Sequence, residues 1–353
     1  MRQSNIELLR IISILLVCIL HADFGALNVP DVSYKDVTLF TDFARIEYES
    51  ISLVAVNVFI LISGYFSISL SFKRIAGLCF IIVFWSAVLT PLSISLKWAQ
   101  PSQTFNLLTP GLNDWFIQCY LLLVLLSPLC NLFINNISLT YLKIYISIFF
   151  ITELIFGWFI FWGYAFYGGY SLLHFIGIYL IGRYIKLANI GMGFNIRKTL
   201  VYFFVLMTIP ATILFATLCF NADKSILQFV EERFTAYTSP FNIIGAILLL
   251  IAFREFKLKS KFVNKLATSV FSVYIIHTFP PIFIWYKRLS QDLFLQNSLV
   301  WIITLPIIVS LVFGVGFLLD QIRIYVYNII KHIIRITFPN MNSALFSRLR
   351  LKV

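Results

Sequence analysis

The chain has 353 residues, 60% of them hydrophobic and only 12% charged, with mean hydropathy +0.91. Soluble domains carry roughly 25% charged residues, so the composition excludes an ordinary soluble fold. The net charge of +12 would suit a nucleic-acid binder, but its placement along the chain follows a membrane topology, and no nucleic-acid partner is expected.

Apolar runs long enough to cross a bilayer recur at roughly 6–24, 51–70, 76–96, 115–134, 143–160, 172–187, 199–220, 240–253, 267–286 and 298–320. They predict an all-α, polytopic transmembrane bundle of about ten spans, with one domain over 1–322 and a basic tail over 323–353. With the N-terminus inside, the inner segments hold 20 of the 27 Lys and Arg, and the outer loops hold 7. Those outer loops, together with Asp23 at the outer end of the first run, carry 11 of the 15 acids, with Asp31, Asp36, Asp42, Glu47 and Glu49 in the long connection 25–50. The positive-inside rule thus places both termini in the cytoplasm, with membrane lipids around the bundle. The first span is expected to stay uncleaved, because Glu7, Arg10, His21 and Asp23 do not suit a signal peptide.

That first span, "NIELLRIISILLVCILHADF", carries Arg10 and His21 eleven residues apart. Eleven residues are three helical turns plus roughly 20°, so both side chains share one face, about 16 Å apart along the axis. Ionisable groups inside a membrane are costly and point to function. A neutral imidazole suits removal of a proton from a hydroxyl near pH 7, and a guanidinium suits phosphate. The pair therefore fits transfer of an activated group from a phosphate-bearing donor to a hydroxyl. The plainer reading is a snorkelling arginine and a packing histidine.

Further along, Lys73 and Arg74 end the second predicted span, as a phosphate clamp or a topology anchor. The polar connection 97–114 contains Pro101, Pro110 and Gly111. Glu153 lies within the fifth run and would pair with Arg10, tune His21, or neutralise another buried cation. The stretch 157–170, "GWFIFWGYAFYGGY", has eight aromatic residues, suited to stacking on sugar rings or to an interfacial belt. His174 reads as a bland interfacial residue and His332 as solvated in the basic tail. His277 precedes Pro280 and Pro281, which must disturb its helix, and it either partners His21, orients substrate, or only packs. The five cysteines suit neither a disulfide framework nor a zinc site and read mostly as small buried hydrophobes, so no metal is expected. Cys18, one turn before His21, allows an acyl-cysteine route that nothing else supports. No GxxxxGK[ST] loop is present, which argues against an ATP-driven pump.

The opening segment resembles the signature of the acyltransferase-3 family, bacterial membrane enzymes that O-acylate glycans. There an acid-x-x-Arg start is followed after eleven residues by an essential histidine, here Arg10 and His21. "VNVFILISGYFSISLSFKR" is similar to the family's Ser-Gly-Tyr/Phe segment, with Ser63, Gly64 and Tyr65. "NDWFIQCYLLLVLLSPLCN" resembles the block built around Trp115, Tyr120 and Pro128, and "SVFSVYIIHTFPPIF" the late block with Tyr274 and His277. The family's Arg-x-x-Arg motif is reduced here to Lys73-Arg74, which weakens the transfer of its role. The "DWFIQCYLLL" form is similar to the branch acting on surface polysaccharides and lipid-linked units.

The resemblance implies O-acyltransfer, most simply O-acetyltransfer, onto a cell-envelope glycan or lipid-linked sugar in the bacterial inner membrane. Acetyl-CoA is the implied donor and no bound cofactor is implied. His21 would be the general base, with His277 assisting; Arg10, Lys73 and Arg74 would hold donor phosphates, and Ser63, Tyr65, Trp115 and Glu153 would complete the site. The competing class is a transporter or flippase for a lipid-linked glycan, since scattered intramembrane charges and proline-broken helices suit that equally.

Overall fold

All regular structure among the described residues is helical, because only helices satisfy their own backbone groups within each apolar run. The structure is a computed structural model that describes residues 3–30, 39–109, 114–160, 165–220 and 223–337. Asp31, Asp36, Pro110, Gly111 and the tail from 338 onward lie outside the described residues. In order the helices are α1 (Ser4–Ala22), α2 (Phe24–Leu27), α3 (Leu39–Ser52), α4 (Val54–Phe66), α5 (Phe72–Ser95) and α6 (Thr104–Leu108). They continue as α7 (Trp115–Asn135), α8 (Leu139–Glu153), α9 (Leu172–Leu187), α10 (Ile196–Cys219) and α11 (Lys224–Phe234). The last are α12 (Pro240–Glu255), α13 (Lys261–Leu266), α14 (Val270–Thr278), α15 (Pro280–Gln296) and α16 (Ser298–Thr337).

Among the described residues, seven helical runs are long and apolar enough to cross a membrane, and the bent pair formed by Lys261–Thr278 and Pro280–Gln296 makes up to eight. The predicted spans 172–187 and 240–253 correspond to α9 and α12, each of 16 residues. At 1.5 Å per residue each covers about 24 Å, short of a hydrocarbon core. The connection 25–50 is also less open than its acidic composition suggests, since α3 fills residues 39–52 and continues through Leu53 into α4. Asp42, Glu47 and Glu49 therefore sit on a helix. Arg45 Nε donates to Asp23 Oδ1 at 2.7 Å with both side chains buried, which ties the end of α1 to α3. The boundary at 322 falls inside α16, which runs unbroken to Thr337. Only Cys18 and Cys119 of the five free cysteines are buried; Cys79 and Cys219 are exposed at the periphery and Cys130 lies between.

The centre of the molecule is α4, with Val54, Ala55, Val58, Ile60, Leu61 and Ile62 fully enclosed. Its closest neighbour is α9, and glycine makes the approach possible. A Cβ at Gly64 would overlap the Tyr179 carbonyl oxygen, and one at Gly182 would overlap the Leu61 carbonyl oxygen. In a bilayer such small-residue contacts replace the hydrophobic drive between helices. Ile303, Leu318, Phe204 and Val205 on outer helices are exposed, as lipid-facing side chains should be.

Candidate active site

α1 runs along a cavity of about 410 Å³ that both Arg10 and His21 line, so the eleven-residue spacing does place them on one face of one space. Arg10 is held beside Glu7, with Nη1 donating to both carboxylate oxygens at 3.2 Å, and its side chain keeps 34% exposure. His21 is reached from a different helix. Its Nδ1 lies 3.0 Å from Nε2 of His277, the penultimate residue of α14.

The proline pair explains that placement. Pro280 and Pro281 offer no N–H, so α14 ends at Thr278 and α15 starts afresh at an 80° bend. Thr278 Oγ1 donates to the Tyr274 carbonyl at 2.7 Å, satisfying one of the carbonyls near the break. α15 then lies against the end of α1. Tyr286 and Ser290 hydroxyls donate to the Cys18 and Ala22 carbonyls, and Gln291 Nε2 donates to the Ala26 carbonyl. The register of α1, and with it the height of His21, is thus fixed by α15.

The hydrogen bonds also select the tautomers. His277 Nδ1 faces the Val273 carbonyl at 3.0 Å, and a carbonyl only accepts, so Nδ1 carries the proton. A neutral His277 then has a lone pair on Nε2, which accepts from His21 Nδ1–H. This leaves the His21 Nε2 lone pair with no partner among the described residues, on a residue that lines the cavity. The arrangement equips His21 as a base and makes His277 its orienting partner. Phe283 packs edge-on against the His21 ring at 5.0 Å and fixes its plane.

Ser63, Tyr120, Trp115 and Tyr274 complete the middle of the cavity. Ser63 Oγ donates to the Phe59 carbonyl and lies 3.4 Å from the Tyr120 hydroxyl. Tyr274 donates to both Asp114 oxygens at 3.0 and 2.8 Å, while Asp114 caps α7 by accepting from the Ile117 N–H. Burial raises the Asp114 carboxyl above its ordinary value.

Other expected site residues fall elsewhere. Tyr65 is buried away from the cavity, its hydroxyl 3.4 Å from Lys186 Nζ, which also stands 4.7 Å over its ring. Lys73 and Arg74 are exposed at the start of α5, outside the lining; that helix brings only Leu78 to the cavity. Arg74 Nη1 donates to the Ser69 carbonyl at 2.7 Å. Glu153 meets neither Arg10 nor His21. It is fully buried and its Oε1 lies 2.7 Å from His174 Nδ1, so the partner is the very histidine that read as bland. His174 is itself fully buried, with Nε2 2.8 Å from Asn57 Oδ1. The signal was present: a carboxylate inside an apolar helix requires a partner.

The fold and this cavity define a class, a polytopic membrane protein with a hydrogen-bonded imidazole pair and a guanidinium beside one intramembrane space. The acyltransferase-3 family, whose defining unit is an acyltransferase domain, matches residues 3–320, and the chain belongs to it. It is a membrane acyltransferase. No curated protein and no solved structure matches the chain.

Proposed function

We propose that the protein moves an acyl group, acetyl in the simplest case, from acetyl-CoA to a hydroxyl of a cell-envelope glycan or lipid-linked sugar. It would do so in the bacterial inner membrane, with both termini cytoplasmic. The observation that carries the reading is the His277-oriented His21, with a free ring lone pair in the cavity that Arg10 shares. His21 Nε2 takes the proton of the acceptor hydroxyl as its oxygen attacks the thioester carbonyl. A C–O bond forms, the C–S bond breaks, and CoA leaves as the thiol, taking the proton back from His21. Arg10 binds donor phosphate, and Lys73 and Arg74 at the start of α5 attract the outer phosphates of CoA. With phosphate at Arg10, the thioester arm runs along the cavity for about 16 Å to reach His21.

The test is release of CoA thiol by detergent-purified protein given acetyl-CoA and envelope glycan, for wild type and His21→Ala. Glycan-dependent release that disappears in the variant supports the transferase. Equal release by both moves the chemistry away from His21, and no release by wild type turns the reading toward the transporter class.

A further inference from the structure

One residue of the cavity lining has both ends of its backbone tied to other elements. Tyr237 N–H donates to the Gly168 carbonyl at 2.8 Å, and its carbonyl accepts from Asn57 Nδ2 at 2.9 Å. Its ring lies 5.6 Å from that of Trp115 at an interplanar angle of 30°, and Tyr170 meets Trp115 at 4.4 Å. All three rings line the cavity. Gly169, at φ +95°, turns the chain so that Tyr170 comes to this wall with 41% of its surface open. The wall connects to the His21–His277 pair through Asp114 and Tyr274. Trp115 follows Asp114, which accepts from Tyr274, and Tyr274 precedes His277 by one turn.

Behind the wall stand three fully buried polar side chains in a row, Glu153, His174 and Asn57. Burying such groups in a dry helix bundle is costly, and the hydrogen bonds along the row offset part of that cost, Glu153 Oε2 having no partner among the described residues. Their order has a geometric result. With His174 Nε2–H donating to Asn57 Oδ1, the Asn57 amide nitrogen is forced to point at the Tyr237 carbonyl. Glu153 in turn holds Nδ1 of His174. The chain thus fixes where Tyr237 stands.

The charge pattern is equally specific. Among the described residues Arg10 is the one side chain of permanent charge in the lining, and it stands three turns away from His21. Lys287, the cation nearest His21, stands 4.9 Å over the Phe283 ring and outside the lining. An ionic substituent against Trp115, Tyr170 and Tyr237 would therefore lose water without meeting a charged lining partner among the described residues.

We infer that Trp115, Tyr170 and Tyr237 form the acceptor subsite, that it takes an uncharged sugar ring, and that Glu153, His174 and Asn57 are its positioning residues. This deepens the transferase reading and rests on it. The test is a calorimetric titration of detergent-purified protein with neutral methyl hexopyranosides and with the anionic methyl glucuronide, using His21→Ala to prevent turnover. Saturable binding of a neutral glycoside is expected, weakened at least tenfold by Tyr170→Ala, with the glucuronide bound at least tenfold more weakly. Glu153→Leu weakens binding similarly, whereas Glu153→Gln, whose side-chain N–H donates to the Nδ1 lone pair of a neutral His174, keeps it within threefold. In a His21-containing background, neither Glu153 change alters the acetyl-CoA KM. No neutral binding, or binding unchanged in both Tyr170→Ala and Trp115→Leu, overturns the subsite; equal binding of glucuronide overturns its neutral character. Glycan-dependent CoA release alongside unaltered binding in those variants sinks the subsite and leaves the transferase. Glycoside binding without any CoA release by wild type does the reverse.

Discussion

His277 Nε2 stands 3.0 Å from His21 Nδ1 while its own Nδ1 faces the Val273 carbonyl, so a backbone oxygen on α14 sets the tautomer of a histidine on α1. The relationship depends on the proline break, because α15 must turn through 80° to brace α1 from the side. Local chain chemistry at Pro280 and the orientation of the His21 ring are therefore one device.

Removing either histidine should separate their roles. His21→Ala eliminates the base and is expected to lower glycan-dependent CoA release by about 10²–10⁴-fold. His277→Ala leaves an imidazole with no fixed tautomer, so the loss should be smaller, about tenfold to a hundredfold in kcat, with the acetyl-CoA KM unchanged. A His277→Ala enzyme with full kcat would remove His277 from the mechanism.

The close approach of α4 and α9 yields a prediction about stability. Gly64→Ala or Gly182→Ala drives a methyl group into a backbone carbonyl of the neighbouring helix. Each is expected to cost about 1–3 kcal/mol, the range for overpacking a tight core. Thermal unfolding in detergent, followed by tryptophan fluorescence, should show a lowered Tm in both variants. Gly314→Ala, with open space around its Cβ position, should leave Tm unchanged.

These outcomes show what the sequence carried. Arg10 and His21 were legible because helical periodicity is local, and a spacing of eleven residues decides a shared face whatever the tertiary fold. The break before Pro280 was legible for the same reason. The Glu153–His174–Asn57 chain was not, since its members lie on three helices and only packing brings them together. Lys73 and Arg74 were drawn toward the site by motif resemblance, yet the chain direction at the start of α5 leaves them exposed. The runs 172–187 and 240–253 are helices of 16 residues, α9 and α12, and hydropathy alone does not distinguish burial in protein from burial in lipid. Gly64 and Gly182 supply that distinction only once the helices are seen together.

Asp114 gives a pH dependence of known sign. Burial raises its carboxyl above the usual 3.8, so the folded state favours the protonated form. Its contribution to stability is complete below pH 3.8 and is lost as pH rises through the higher folded-state value. Asp114→Asn keeps an acceptor for the Tyr274 hydroxyl and the Ile117 N–H but does not titrate. The difference in Tm between variant and wild type should therefore shift in favour of the variant from about pH 4 to pH 7. A constant difference across that range would show that the carboxyl does not titrate differently on folding.

The cations divide by position, and the donor's affinity should divide with them. Arg10 lies in the cavity wall beside Glu7, partly shielded, where a phosphate meets a forked donor in reduced dielectric. Lys73 and Arg74 stand in the open at the start of α5, where salt screens a charge over about 8–10 Å. Arg10→Ala is expected to raise the acetyl-CoA KM at least tenfold at every ionic strength. Lys73→Ala and Arg74→Ala should raise it about two- to threefold at low salt, through attraction rather than contact, and that effect should vanish near 0.5 M salt. Steady-state kinetics at two salt concentrations separate the cases. If Arg10→Ala behaved like the exposed pair, the donor phosphate would have to bind outside the cavity, and the path of the thioester arm to His21 would need to be redrawn.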